Sequence, residues 1–281
     1  MDFDKSEPRR LSDLLRYIDT SVPQIEWVVF FTATQVTSRR NSSTAIATCK
    51  SVVPYVDIPL QHISDPVLSA MQRPSRAHTM KLLDRLRERI PDLALRTTFI
   101  TGFPGETEDD HRELVNFVRE FRFMRAGVFT YSQEDGTPAA LLPDQVDDAI
   151  KQSRIDELVS IQQSIQEEMA QDKVGTIQQV LIDRIEDGHS VGRCRFDAPD
   201  IDGCVHVLEK IPAGTMLSVR ILGNNAMDLY GEPVNADSTF PPLNELVFPL
   251  FRVLPVPFVK LYRTRRNDRA TGKTYLAMTA R

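Results

Sequence analysis

The sequence predicts an α/β body of parallel strand–helix units, a small all-β barrel after it, and a compositionally different tail. Three observations predict this. Short β-branched and aromatic runs alternate with segments of helical period up to about residue 173. From Gly175 the apolar period falls to two, with Gly or Pro between the runs. Charge then splits: residues 175–233 carry five Lys/Arg against nine Asp/Glu, whereas residues 234–281 carry eight against three and five prolines.

The elements follow in order. Residues 24–31 (QIEWVVFF) and 52–60 (VVPYVDIPL) read as buried strands. One helix begins near Pro66 and ends before Pro74. The next spans residues 77–90, with Met80, Leu83, Leu86 and Ile90 at spacings of three and four. Residues 93–103 (LALRTTFITGF) form a third strand. Thr107 then caps a helix, and TEDD places Asp110 where a capping box needs its acid. Residues 125–131 (RAGVFTY) are a fourth strand. Residues 145–172 read as one long amphipathic helix with a stripe of Ile150, the Arg154 stem, Leu158, Ile161, Ile165 and Met169. Four short strands follow at 180–185, 192–196, 204–208 and 216–222, enough for a small β-barrel.

Composition excludes several function classes. The 281 residues are 41% hydrophobic and 26% charged, ordinary for a globular protein. No run of 18 apolar residues exists, so no membrane span is expected, and the charged N-terminus shows no signal peptide. Cys49, Cys194 and Cys204 fit neither a disulfide framework nor a C-x-x-C pattern. The expected compartment is therefore the cytoplasm. A net charge of -5 argues against a nucleic-acid coat.

Four segments carry more polar chemistry than packing needs. DIPLQH (57–62) ends a strand in polar groups, which in a parallel α/β barrel points toward the site; a capped turn is the plain alternative. GFPGET (102–107) joins a strand to a helix N-terminus, where Gly102 and Gly105 let backbone approach an anionic ligand or merely make a tight turn. YSQEDGTP (131–138) follows the fourth strand, with an ordinary turn as the competing account. DAPDIDG (197–203) places three carboxylates in a barrel loop. Proline and isoleucine stiffen it and no further ligand run accompanies it, so a solvated acidic face is expected rather than a metal.

PYVDIPLQHISDPVLSAMQRP, LRTTFITGFPGETEDD and VFTYSQEDGTPAALLPDQV, in that order, closely resemble the radical S-adenosylmethionine methylthiotransferases. DAPDIDG and its acidic barrel resemble the branch acting on ribosomal protein S12 rather than on tRNA. The resemblance covers roughly Pro54 to Pro233. It implies a partial TIM-like radical SAM barrel over residues 1–144, a connecting helix (145–173), a TRAM-like barrel (174–233) and an unmatched, poorly ordered tail (234–281). It also implies methylthiolation of an aspartate β-carbon with S-adenosylmethionine and two [4Fe-4S] clusters. By the same match Gln61, Thr98, Gly102, Gly105 and Glu106 lie at the cofactor end, with Tyr131 and Ser132 nearby. Asp197, Asp200 and Asp202 would grip basic S12, with RNA as the alternative partner and no membrane.

Two departures qualify this. The family's C-x-x-x-C-x-x-C motif is absent from the sequence, and a [4Fe-4S] cluster needs three or four converging thiolates. The chain is therefore expected to be the C-terminal part of such an enzyme, inactive alone, with no residue assigned to bond-making and no cofactor held tightly. The alternative is a non-catalytic TRAM-type binding module. The second departure is polar, unpatterned sequence at 32–45 where the family has Tyr-x-Tyr-Pro, which reads as a frame-shifted stretch.

Overall fold

Four parallel strands form the first sheet, in the order β1 (Val28–Phe30), β2 (Val52–Gln61), β3 (Ala94–Thr101) and β4 (Arg125–Thr130). The computed structural model describes residues 11–30, 40–234, 261–267 and 274–280. It divides into residues 1–236 and residues 237–281. Parallel neighbours need crossovers, and helices supply them. The helices are α1 (Leu11–Ser21), α2 (Arg40–Thr48), α3 (Asp65–Ala70), α4 (Arg76–Arg89) and α5 (Glu108–Phe121). All four strands of the body lie where the apolar runs place them. The two amphipathic helices after β2 and the capped one after β3 are also found. Sequence patterning missed α1 and α2.

Alternation gives each strand two faces. Val56, Ile58 and Leu60 of β2, with Leu95 and Phe99 of β3, face the helices. They join Leu83, Leu86, Leu114, Val118 and Phe123 in the main core. Phe99, Phe117 and Phe123 meet edge to face at 5.4–6.2 Å. The opposite face carries Tyr55, Asp57, Arg96, Thr98, Gly127 and Phe129, and is the inner face of the half barrel.

The start of α5 is built as its sequence suggests. Thr107 accepts the Asp110 N–H at 3.2 Å, while the Asp110 carboxylate accepts the Thr107 N–H at 2.9 Å. Helix α6 (Asp148–Gln171) is capped by Asp147 and packs along β4. Its buried stripe contains Arg154, Leu158 and Ile165, with Ile161 and Met169 partly buried against the same core, as periodicity requires. Two positions differ. Ile150 is exposed, because the first turn covers Gly102 with Lys151 instead. Gln162 is buried, because its amide donates to the Phe123 carbonyl at 2.9 Å.

The second half of this unit is a closed barrel ordered β5-β6-β7-β9-β8. Its strands are β5 (Ile177–Glu186), β6 (His189–Cys194), β7 (Val205–Val207), β8 (Met216–Asn225) and β9 (Asp228–Pro233). Val180, Ile182, Val205, Val207, Val219, Ile221 and Leu229 fill it. Sequence reading gave four of the five strands. It missed β9, which follows a turn through Ala226 at φ 50° and has few β-branched residues. A third apolar cluster joins barrel to sheet: Ala198 and Phe196 pack on Val53, Tyr55, Ala94 and Met124 of the inner face.

In residues 237–281, β10 (Leu261–Asn267) and β11 (Thr274–Ala280) pair antiparallel, from Leu261 opposite Ala280 to Asn267 opposite Thr274. The remainder of the tail expected to be poorly ordered lies outside the described residues. So do positions 32–39 of the stretch read as frame-shifted; its last six residues open α2, where Ala45 is buried. No described helix is long and apolar enough to cross a membrane.

Candidate functional site

The C-terminal ends of β2, β3 and β4 bring most of the sequence-selected residues to one edge of the sheet. β2 ends at Gln61 with φ 73°, a left-handed conformation that few non-glycine residues adopt and that clusters at functional sites. β3 ends at Thr101 and Gly102, and β4 runs out through Thr130 into Tyr131 and Ser132. The Tyr131 N–H still donates to the Thr101 carbonyl at 2.9 Å. Thr98 stands on the inner face, paired in register with Gly127. Phe129 on the same face is 58% exposed, so the upper part of that face is open. The Tyr131 ring lies edge-on to Phe103 at 5.2 Å, and its buried hydroxyl has no partner among the described residues. Ser132 is exposed and donates to Glu134 at 2.8 Å.

Glu106 behaves differently from its neighbours. Its carboxylate accepts from the Thr101 hydroxyl at 3.0 Å and from the N–H groups of Gly102 and Phe103 at 2.5 and 3.1 Å. Arg154 of α6 closes the set at 3.1 Å. Burial raises the Glu106 pKa against the lowering pull of Arg154 and these donors. The side chain therefore braces the GFPG turn from beneath instead of pointing into the open face. The two glycines also divide. Both have positive φ, but a Cβ at Gly102 would collide with the Lys151 side chain, whereas one at Gly105 would meet nothing. Gly105 is tied by its N–H to the Asp144 carbonyl at 2.9 Å.

Behind this edge lies a buried polar cluster. His62 is fully buried, accepts the Ser64 N–H on Nδ1 at 3.0 Å, and has no partner on Nε2 among the described residues. Burial lowers its pKa to about 4. Ser64 donates its hydroxyl to Asp110. Burial alone would raise Asp110, but the donors from Ser64 and Thr107 lower it. His111 contacts Glu157 of α6 at 3.0 Å. Sequence reading reached His62 and Asp110 but not Arg154 as a partner of Glu106, since the two are 48 positions apart.

The DAPDIDG loop is at the other end of the sheet, and here the expectation of a solvated acidic face is corrected. Asp197 is buried and accepts from Arg125, the first residue of β4, at 2.5 Å. Burial pushes its carboxyl up to about 6. Asp202 accepts from the Tyr55 hydroxyl and the Ala198 N–H, both at 2.8 Å. It also lies 3.6 Å from Arg96, which pairs with Asp57 at 2.7 Å. Tyr55, Arg96 and Arg125 all come from the N-terminal halves of their strands. The loop turns inward because these two cations and one phenol need acceptors there. Of the loop's three acids only Asp200, at φ 65°, faces solvent.

The three thiols do not converge on a cluster site. Cys49 is buried beside α2, Cys194 is buried in the barrel, and Cys204 is half-buried on the barrel's outer side. A [4Fe-4S] cluster does not fit these residues. The open strand edge, with an orphaned Tyr131 hydroxyl, does fit a polar nucleoside group.

Comparison with known proteins gives the same division. Residues 28–118 match the radical SAM superfamily and residues 174–234 match the TRAM domain. The chain is similar to ribosomal protein uS12 methylthiotransferase RimO of Akkermansia muciniphila, 41% identical over 230 residues, which are 82% of this chain and 50% of that protein. The Flavobacterium johnsoniae protein of the same name is 38% identical over 234 residues, 82% of this chain and 53% of its own. That of Lachnoclostridium phytofermentans is 46% identical over 182 residues, covering 63% and 41%. The chain spans about half the length of the curated relatives it matches. With a radical SAM sheet followed by a TRAM barrel, it belongs to the radical SAM methylthiotransferase family, on the branch that carries the uS12 name.

Proposed function

We propose that this chain supplies the S-adenosylmethionine end and the substrate-holding barrel of an enzyme that methylthiolates an aspartate β-carbon of ribosomal protein uS12, and that it lacks this activity alone. One observation carries the reading. Three parallel strands end together in Gln61, Gly102 and Tyr131 beside an open inner face, while DAPDIDG plugs the opposite end. Ligands of parallel α/β folds bind at the carboxyl ends of strands.

The family's radical chemistry is supplied by S-adenosylmethionine and [4Fe-4S] clusters, and no step through a cluster is assigned to this chain. Its own residues bind and orient. The Tyr131 hydroxyl, the Thr98 hydroxyl and the Gln61 amide offer hydrogen bonds to ribose, base or amino-acid groups. Gly105, whose N–H is held by the Asp144 carbonyl, leaves open space for the ligand where a side chain would stand. Glu106 and Arg154 hold the GFPG backbone in place and do not touch the ligand.

Asp200 is the one carboxylate of its loop free to meet a basic partner. Residues 175–233 have a net charge of -4 from nine acids and five bases, which suits a basic protein better than phosphate. The chemistry belongs in the cytoplasm, where ribosomal proteins reside. Titrating labelled uS12 into the chain should show binding that weakens steeply with salt and falls about twofold to threefold in Asp200→Asn, as expected for a rim charge. Equal or tighter binding of a single-stranded RNA would instead support the non-catalytic binding module.

A further inference from the structure

The outer wall of the small barrel carries a group of side chains that the proposed function does not use. β7 and β9 run parallel in the register Val205–Leu229 and His206–Tyr230, which also sets Cys204 beside Asp228. Val205, Val207 and Leu229 point into the barrel core. By alternation Cys204, His206, Asp228 and Tyr230 therefore share the outer face. Their ligand atoms converge: Cys204 Sγ is 3.3 Å from His206 Nε2 and 3.5 Å from Asp228 Oδ1, and all three lie within 4.8 Å of one another. All three residues are half-buried, so an ion could reach them.

We infer that Cys204, His206 and Asp228 form a binding site for a divalent zinc-like cation on the outer wall of the barrel, with a fourth position open to water. Tetrahedral zinc bonded to sulfur at about 2.3 Å and to nitrogen and oxygen at about 2.0 Å holds its ligands about 3.3–3.6 Å apart. The sulfur–nitrogen and sulfur–oxygen separations of 3.3 and 3.5 Å already lie in that range. The donor set is also right in kind, since one thiolate, one imidazole and one carboxylate suit zinc and disfavour magnesium or calcium.

The surrounding groups orient the ligands. His206 Nδ1 is 3.0 Å from His189 Nε2 of β6. With the proton on Nδ1 donated to His189, the His206 Nε2 lone pair is turned toward the sulfur, the orientation a metal-bound imidazole needs. The His206 ring stacks on Tyr230 at 4.8 Å and 13°, which fixes its plane. Asp228 is held by the Cys204 N–H at 2.9 Å. Burial and the Asp228 carboxylate push the Cys204 thiol up to about 12, so without a cation it is a neutral thiol hydrogen-bonded to its neighbours. A divalent ion reverses that balance by replacing the proton. Bound there, it would tie β7 to β9, the only parallel pair in this barrel.

No sequence spacing announces this site. Cys204-x-His206 is too short to suggest a metal alone, and the third ligand comes 24 residues later on a strand that periodicity misses. No metal was expected from the sequence, and none of these residues belongs to the cofactor end.

The test uses the intact, tag-free chain titrated with Zn²⁺ and with Co²⁺ as a spectroscopic substitute. One equivalent per chain should bind, with a thiolate-to-cobalt charge-transfer band and a rise in melting temperature. Cys204→Ser should abolish the band, and His206→Gln should weaken zinc binding at least a hundredfold. Asp228→Asn keeps an acceptor for the Cys204 N–H, so it should still fold while binding at least tenfold more weakly. A wild-type chain without a thiolate band overturns the inference. So does a band that persists in Cys204→Ser, because the metal would then sit on Cys49 or Cys194.

Discussion

At the scale of single residues, burial and hydrogen-bond donors compete to set the charge of the polar groups behind the strand ends. His62 is the clearest case. Its Nδ1 must stay unprotonated to accept the Ser64 N–H, and burial lowers its pKa from 6.5 to about 4. The unfolded chain binds a proton at this residue from about pH 6.5 downward, while the folded chain does so only near pH 4. The contribution is thus fully present above pH 6.5 and is lost as pH falls toward 4. At pH 5 the loss is about 2 kcal/mol, from ~1.4 kcal/mol per pKa unit. Asp197 acts in the opposite sense, because its carboxyl is raised to about 6 and penalises the folded chain as pH rises through that value. The two are separated by comparing wild type with His62→Asn, whose side-chain oxygen can still accept from Ser64. Urea denaturation at pH 7 and pH 5 should show the wild type losing about 2 kcal/mol more than the variant between those pH values. Equal losses would remove His62 from the account.

At the scale of elements, the DAPDIDG loop is the piece that joins barrel to sheet. Asp197 and Arg125 are 2% and 7% exposed, so neither charge can turn to water if the other is lost. Removing one member of such a pair costs about 3–5 kcal/mol, though a well-packed apolar pair of equal volume can be neutral. Arg125→Met, which strands Asp197 without its cation, should therefore destabilise the chain by about 3 kcal/mol, and combining it with Asp197→Leu should cost less than the two single changes summed. Additive costs in that cycle would mean the two side chains do not act as a pair. The same loop marks how far sequence patterning reaches. Strands β2 to β4, α5 and α6 were legible because their apolar periods and caps are local: the Thr107–Asp110 box spans four residues. The burial of Asp197 and Asp202 was not, because its causes, Arg125, Tyr55 and Arg96, lie at least 72 positions away or on other strands. A string of acids reads as solvated unless its cations are known. The strand ends chosen from the sequence do lie together at one edge of the sheet. Which residues point into it was not legible, since Glu106 braces the turn and Lys151 covers Gly102 through contacts with α6 that no motif encodes.

At the scale of the whole molecule, the question is what a radical SAM sheet can bind without cluster ligands. The described sheet offers an edge, an open inner face and one orphaned hydroxyl. The thiols are no substitute. Burial raises Cys49 and Cys194, and both are enclosed in separate apolar cores. Anaerobic reconstitution with iron and sulfide should therefore leave no stoichiometric [4Fe-4S] absorbance on this chain. The consequence for S-adenosylmethionine follows from which atoms remain to hold it. Gln61, Thr98 and Tyr131 provide at most a few neutral hydrogen bonds, each worth about 1 kcal/mol net, and the cations described near this edge are already paired, Lys151 with Asp148 at 3.0 Å and Arg154 with Glu106 at 3.1 Å. Binding of about 4 kcal/mol, a dissociation constant in the millimolar range, is the most such contacts support. Calorimetry at micromolar ligand should show no heat of binding, while saturation-transfer NMR at millimolar ligand should show contact that weakens in Tyr131→Phe. A micromolar constant would mean that these strand ends hold the cofactor without iron, and the half barrel would then be a complete binding site in its own right.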